Sequence, residues 1–301
     1  MRWDQLPRSD NVEDQRGAGP GGFRTGRAGG IGIGTLLVLG LIGWALGINP
    51  LYLIGGAEIL SQLGGGSQEQ SQPAPKDAQT QAPSDQMGQF VSAVLGSTEA
   101  EWKEIFARGG KTYEPPTLVM FSGATRSACG AAQSAMGPFY CPIDRKVYLD
   151  TAFFQDLERR FRGCEIGSKS CQFAQAYVIT HEIGHHVQNL LGILPRVQAM
   201  QRGLDQSDAN QLQVRVELQA DCLAGIWAHH AEEKWRLIEP GDVEAAMQTA
   251  SAIGDDRLQR RSQGYVVPDA FTHGSSAQRT QAFMTGLKSG EISSCDTFRS
   301  Q

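Results

Sequence analysis

The stretch FAQAYVITHEIGHHVQNLLG, residues 173–192, decides how this chain is interpreted. Its apolar residues recur at helical spacing, and a glycine followed by a proline is expected to end the helix. His181 and His185 are four residues apart, so their imidazoles project from one face, one turn apart. Glu182 lies between them, where its carboxylate can reach a water on a shared metal ion. This H-E-x-x-H spacing is typical of zinc sites, so we expect one zinc ion per chain.

A third metal ligand is required, because catalytic zinc usually has three protein ligands. A histidine at Leu191, with a glycine at Gln188, would define one common class, and the residues present exclude it. The next candidates are Glu217 and Asp221, which share a face of the helix RVELQADCLAGIWAHH, residues 215–230. One carboxylate can bind zinc, and the other can accept a hydrogen bond from a ligand histidine. An exposed acidic face is the alternative, but the neighbouring residues are mostly apolar or small.

The remaining histidines give weaker signals. His186 is one step off the ligand face and is interpreted as supporting or packing, while His229 and His230 are interpreted as surface residues near a helix end. His273 and Arg279 flank the start of a helix capped by Ser275 or Ser276. They either stabilise the oxyanion of a tetrahedral intermediate or serve as capping and ion-pair residues.

An apolar stretch near the N-terminus predicts a membrane anchor. Residues 28–57 carry no charge, and residues 31–55 are long enough to span a bilayer as one helix. The alternatives are a buried core helix and a cleaved signal peptide. Arg16, Arg24 and Arg27 precede the stretch, and no Lys or Arg follows it before Lys76. This bias predicts a single-pass membrane protein with a cytoplasmic N-terminus and an extracytoplasmic domain.

Six cysteines all follow the apolar stretch, which indicates disulfides in an exported domain. Six cysteines allow 15 pairings, and the sequence does not select one. Two local pairs and one distant pair are the working hypothesis, with free thiols as the alternative: Cys129–Cys141, Cys164–Cys171 and Cys222–Cys295.

The 301 residues are 40% hydrophobic and 20% charged, and the net charge of −5 gives no basic surface for nucleic acid. We expect a helix-rich α+β domain with a small sheet, preceded by one transmembrane helix. Its predicted helices begin near Phe90, Thr151, Phe173, Asn210, Pro240 and Ser275, and its strands are residues 117–123 and 146–150. The predicted organisation is a disordered cytoplasmic segment 1–30, an anchor 31–55, a flexible Gln/Ser/Pro-rich linker 56–86, and a zinc metallopeptidase domain 87–301.

These motifs carry a family resemblance. THEIGHH followed by ELQADCLAG resembles the gluzincin pattern H-E-x-x-H plus E-x-x-x-D, in the E-x-x-A-D form of HtpX-like and CAAX-processing membrane peptidases. Together with CGAAQSAMGPFYCP, KVYLD and FTHGSSAQR, they resemble the neutral zinc metallopeptidase family of bacterial membrane proteins, over about residues 87–298. The resemblance implies a zincin-like fold, with Glu217 as third ligand and Asp221 as its supporting partner. It also implies that the membrane is the bacterial inner membrane. The FTHGSSAQR segment is similar to a T-H-P segment of the HtpX-like group, with Gly274 in place of the proline.

The sequence therefore predicts a membrane-anchored zinc metalloendopeptidase whose partners are a protein or peptide substrate and the lipid bilayer. Glu182 would act as general base, and strand 117–121 could hold an extended substrate. Two alternatives stay open: an inactive zinc-binding membrane scaffold, and a zinc hydrolase of a cell-wall amide. Oligomeric state is not predicted.

Overall fold

The computed structural model describes residues 1–17, 83–133, 137–159 and 170–298. The described helices are α1 (Gln86–Arg108), α2 (Ala152–Arg159), α3 (Ser170–Leu190), α4 (Ile193–Gln201), α5 (Gln206–Trp235), α6 (Asp242–Ala252), α7 (Asp255–Gln263) and α8 (Ser276–Ser289). The described strands are β1 (Val12–Asp14), β2 (Thr117–Phe121), β3 (Ala124–Ser127), β4 (Gly130–Gln133), β5 (Phe139–Cys141) and β6 (Lys146–Asp150). The predicted helix-rich α+β class is confirmed.

Side-chain caps explain where three of the helices begin. Asp85 accepts a hydrogen bond from the Gly88 amide at the start of α1, and Asp205 caps α5 in the same way. At α8, Ser275 and Gln278 form a reciprocal capping box. Ser275 is therefore the cap residue of the two serines considered.

The main sheet has the strand order β1-β2-β6-β5. Strand β2 is parallel to both of its neighbours, and β5 pairs antiparallel with β6. Strands β3 and β4 form a separate hairpin, which the Cys129–Cys141 disulfide links to β5. Because β2 lies inside the sheet, the prediction that strand 117–121 holds substrate is wrong. Among the described strands, β5 and β1 are the edges.

Helix α3 lies at the centre of the helical layer, and it is packed against α1, α5, α6 and β5. Its aromatic residues anchor it: Phe173 stacks on Trp227 of α5, and Tyr177 meets Phe283 of α8 edge-on. The Trp227 indole N–H donates to the Ser97 hydroxyl of α1 over 2.9 Å, so this buried donor is satisfied. The result is a rigid support for the middle of α3.

Glycines allow the helices that carry the site to approach closely. A Cβ atom on Gly184 would lie 3.0 Å from the Ala220 carbonyl oxygen, so α3 and α5 cross backbone to backbone beside the H-E-x-x-H segment. Added Cβ atoms on Gly225 and Gly286 would overlap backbone atoms of the facing helix at the crossing of α5 and α8. These contacts require the absence of a side chain.

The prediction that residues 1–30 are disordered is wrong for residues 1–17, which are folded. They belong to the same compact unit as the rest of the described chain, and β1 extends the main sheet. Ser9 and Ser92 exchange backbone and hydroxyl hydrogen bonds, and Gly96 lets the Pro7 backbone approach α1. The Trp3 ring packs edge-on against Phe90. These contacts are long-range, so local composition did not reveal them.

The predicted anchor 31–55 and most of the linker 56–86 lie outside the described residues, as does Cys164. None of the described helices is both long enough and apolar enough to cross a membrane. The predicted pairs Cys129–Cys141 and Cys222–Cys295 are confirmed, and Cys171 is also disulfide-bonded. Helix α1 begins close to residue 87, the predicted start of the domain, but residues 1–17 also belong to the same folded unit.

Candidate metal centre

Helices α3 and α5 bring three metal-ligating side chains together. The Nε2 atoms of His181 and His185 lie 3.2 Å and 3.5 Å from the same carboxylate oxygen, Oε2 of Glu217. All three side chains are at most about one-eighth exposed. The three donor atoms lie close enough to hold one metal ion.

The opposite edge of each imidazole is also occupied. The Nδ1 atom of His181 lies 2.8 Å from Asp221 Oδ1, and the Nδ1 atom of His185 lies 2.9 Å from Gln188 Oε1. Because both acceptors are oxygens, each Nδ1 donates its proton, so the neutral form of each imidazole directs the lone pair of Nε2 at the shared point. Two such imidazoles and one carboxylate form a donor set that fits zinc.

Asp221 is the centre of a buried polar network. Its carboxylate is fully buried and accepts hydrogen bonds from the Tyr177 hydroxyl over 2.6 Å and from Arg279 Nε and Nη2 over 2.8 Å and 2.9 Å. Arg279 Nη2 also donates to the Tyr177 hydroxyl. Arg279 is expected either to stabilise an oxyanion or to form an ion pair, and these contacts show the ion pair with Asp221. Because Asp221 also bonds His181, the ion pair fixes the orientation of that imidazole.

The charges of the network explain its pKa shifts. Burial opposes ionisation of Asp221, but Arg279 and His181 outweigh it and hold the pKa of this carboxyl far below its usual range. Burial also opposes protonation of His181, yet Asp221 and Glu217 raise the pKa of that imidazole to about 10. The pKa of Glu217 is likewise held well below its usual range, because His185 and His181 outweigh the effect of burial. The site is therefore strongly attractive to positive charge.

Glu182 is a carboxylate of the site that does not belong to the three metal-ligating residues. It is buried, and it lines the same cleft as His181, His185 and Glu217. Burial raises its pKa, while the neighbouring His181 and His185 act in the opposite direction. Its position on α3 is the one that the H-E-x-x-H pattern predicts for a group that exchanges a proton with water.

His273 also faces the cleft, from the loop before α8. Asp255 holds this loop, because its Oδ2 accepts hydrogen bonds from the backbone amides of Thr272, His273 and Gly274. Its Oδ1 lies 3.3 Å from the Nδ1 atom of His273. Burial opposes protonation of His273, but Asp255 and Glu217 outweigh it and raise the pKa of the imidazole.

The other histidines have structural contacts. His186 is fully buried, and its ring bonds the Tyr140 hydroxyl and the Glu114 carbonyl. The packing interpretation of this residue therefore agrees with the structure. His229 and His230 are half-buried rather than simply at the surface, because they donate to the carbonyls of Leu287 and Gly290 at the end of α8.

The metal centre opens into a cleft of about 570 Å³. Its walls come from α3, α4, α5, the β5 region and the segment 253–279. Strand β5 contributes Phe139 and Tyr140, so the edge of the main sheet adjoins the site. An extended chain can add to such an edge through backbone hydrogen bonds.

Sequence reasoning missed three residues that serve this site. Tyr177 lies one turn before His181, and Gln188 lies one turn after His185, so both could have been found from helical spacing alone. Gln188 also donates to the Val216 carbonyl and to Gln219, which fixes its amide orientation. Asp255 could not have been found in this way, because its contact with His273 is formed only by the tertiary fold.

This chain combines a helix-rich α+β fold with an H-E-x-x-H helix and a buried His–His–Glu donor set. Together these features are typical of proteins with a zinc site. The chain belongs to the family described as "Putative neutral zinc metallopeptidase", whose model matches residues 1–298. The resemblance seen in the sequence is thus confirmed, and the match includes the N-terminal residues that pack on the domain.

The relatives have similar length. The uncharacterized protein YpfJ of Escherichia coli (strain K12) is 44% identical over 306 residues, covering 99% of each chain. The uncharacterized protein Mb2605 of Mycobacterium bovis is 42% identical over 217 residues, covering 69% of each chain. No solved structure matches this chain.

Proposed function

We propose that this protein is a zinc metalloendopeptidase in which His181, His185 and Glu217 hold one zinc ion. The observation that carries the proposal is the convergence of two Nε2 atoms on one oxygen of Glu217, beside Glu182 in an open cleft. Zinc held by such a set would lower the pKa of water and polarise a carbonyl group. Membership of the family supports the choice of metal and of a peptide bond as substrate.

The roles of the chain's own residues follow from their positions. Glu182 takes a proton from the attacking water and passes it to the leaving amine. His273, held by Asp255, donates a hydrogen bond to the oxyanion of the tetrahedral intermediate. Asp221, with Arg279 behind it, keeps the proton of His181 on Nδ1, and Gln188 does the same for His185.

We propose that an extended peptide binds along the edge of β5 that is unpaired among the described strands. Strand β5 takes the role that the sequence suggested for β2, which has neighbours on both sides. Backbone pairing with β5 would lay the peptide along the cleft, and it would be independent of the peptide's side chains. A linear polypeptide suits such a site better than a compact cell-wall amide does.

We further propose that the domain functions outside the cytoplasm, close to a membrane. The Cys129–Cys141 and Cys222–Cys295 disulfides support an oxidising compartment. The uncharged stretch 31–55 supports association with the bacterial inner membrane, and the polar linker 56–86 would give the domain reach.

The test compares wild type with Glu182→Gln, and with Glu114→Gln at an exposed position as a matched control. Zinc content is measured by elemental analysis, and hydrolysis is followed on a general protein substrate such as casein. We expect all three proteins to retain one zinc ion, and only Glu182→Gln to lose activity, by at least about 100-fold. Zinc without turnover in the wild type would favour the inactive scaffold. Turnover of a peptidoglycan amide but of no protein would favour the cell-wall hydrolase.

A further inference from the structure

We infer that the cleft selects peptides with uncharged, apolar side chains next to the scissile bond. The inference rests on the proposed function and adds a substrate class to it. It is carried by the side chains that line the cleft, which divide into a charged group at the metal centre and uncharged walls.

Every charged side chain that lines the cleft belongs to the metal centre or to its supporting contacts. The set comprises His181, Glu182, His185, Glu217, His273 and Arg279. Arg279 is committed to Asp221, and His273 to Asp255. Glu217 accepts one hydrogen bond from Gln213 and faces both zinc-site histidines. Glu182 is the remaining charged residue, and the proposed mechanism assigns it to the attacking water. The lining away from this group carries no charged side chain.

The walls away from the metal centre are mostly apolar. Helix α4 contributes Leu194 and Val197, the segment after α6 contributes Ile253, and α7 contributes Leu258. Strand β5 contributes Phe139 and α2 contributes Phe153 to the same apolar lining. The uncharged polar residues of the lining are mainly glutamines, whose amides can bond a peptide backbone without requiring a charged side chain.

Physical chemistry then sets the order of preference. A Leu or Phe side chain in this cleft would gain from leaving water. An Asp or Lys side chain placed against the apolar walls, away from the metal centre, would lose its hydration without finding an opposite charge, which is costly. Discrimination through apolar contacts of this kind is about 10–200-fold.

The test uses zinc-loaded full-length protein and a set of internally quenched peptides that differ only in one central residue: Leu, Phe, Asp or Lys. Cleavage sites are mapped by mass spectrometry, and kcat/KM is measured for each peptide. We expect cleavage beside Leu or Phe with kcat/KM at least about 10-fold above that for Asp or Lys. Equal rates, or a preference for a charged residue, would overturn the inference while leaving the proposed peptidase intact.

A variant pair links the preference to the cleft wall. Leu194 is only partly buried, so Leu194→Lys should fold, and it should raise kcat/KM for the Asp peptide relative to the Leu peptide by about 10-fold. Leu194→Met should keep the wild-type ratio. If Leu194→Lys fails to bind zinc, Leu258→Lys replaces it. An unchanged ratio in a folded, zinc-loaded variant would contradict the inference, and hydrolysis of no peptide by the wild type would remove the proposed function with it.

Discussion

Breaking the buried ion pair between Arg279 and Asp221 should destabilise the folded protein. Arg279→Met removes the guanidinium group and keeps much of the side-chain volume. Asp221, which is fully buried, would lose two of its four hydrogen bonds and its only cationic partner of fixed charge. Tyr177 and His181 would remain as donors. The change therefore leaves the negative charge of Asp221 buried, with only two hydrogen-bond donors to compensate for its lost hydration.

The expected cost follows from this imbalance. Breaking a buried ion pair by removing one partner costs about 3–5 kcal/mol of unfolding free energy, because the remaining charge stays desolvated. Asp221→Asn should also destabilise the protein, because Arg279 then remains buried without its counter-charge. The double variant removes both charges, so it should cost less than the sum of the single changes, by about 2 kcal/mol.

The measurement is urea unfolding at neutral pH, with disulfides intact and a chelator present. The chelator removes the contribution of metal binding, which would otherwise add to the stability of the variants unequally. Arg196→Met, at an exposed position on α4, is the control and should change the unfolding free energy by no more than about 0.5 kcal/mol. If the single effects of Arg279→Met and Asp221→Asn simply add, or if Arg279→Met costs less than about 1 kcal/mol, the reasoning is refuted.

Three further changes test other parts of the structure. Gly286→Ala would place a Cβ atom 1.9 Å from the Cys222 carbonyl oxygen, so α5 and α8 must separate, and we expect thermal unfolding to show a loss of more than about 3 kcal/mol. Gln188→Leu removes the acceptor for the Nδ1 proton of His185, and competition with a chelator should show about 10–100-fold weaker zinc binding. Removal of the Cys222–Cys295 disulfide, which closes a separation of 73 residues, should cost about 4 kcal/mol in denaturant unfolding.

Each of these predictions has a matched comparison. Lys288→Ala on the exposed side of α8 should leave stability nearly unchanged, and Gln211→Leu on the exposed side of α5 should leave zinc affinity unchanged. The Cys129–Cys141 disulfide closes a separation of only 12 residues, so its removal should cost less, about 3 kcal/mol. The reverse order of the two disulfides, or equal zinc affinities for Gln188→Leu and wild type, would count against the assignments.

The local part of the candidate site could be predicted from the sequence. His181 and His185 share a helix face, as do Glu217 and Asp221, so helical periodicity alone placed each pair correctly. The joining of the two pairs could not be derived in this way, because it depends on the crossing of α3 and α5 at Gly184. The family resemblance supplied that link, and the structure agrees with it.

The missed elements have physical explanations. Helix α4 was missed because Gly192 and Pro195 were interpreted only as the end of α3. Gly192 adopts a left-handed conformation and precedes α4 directly, and Pro195 lies in its first turn, where a backbone N–H has no helical partner. Strands β1 and β5 have three residues each, too few for an alternating pattern to be distinguished.

The pairing of β1 with β2 constrains how the chain can meet a membrane. Residues 1–17 and residues from 83 onward are parts of one folded body, and one body occupies one side of a bilayer. Residues 1–17 and residues from 83 onward therefore lie on the same side of any bilayer. A single-pass topology inferred from charge bias assumes instead that the two flanks of an apolar stretch lie on opposite sides. Here the two flanks are parts of one folded body, so the pairing of β1 with β2, and not the distribution of arginines, keeps them on the same side.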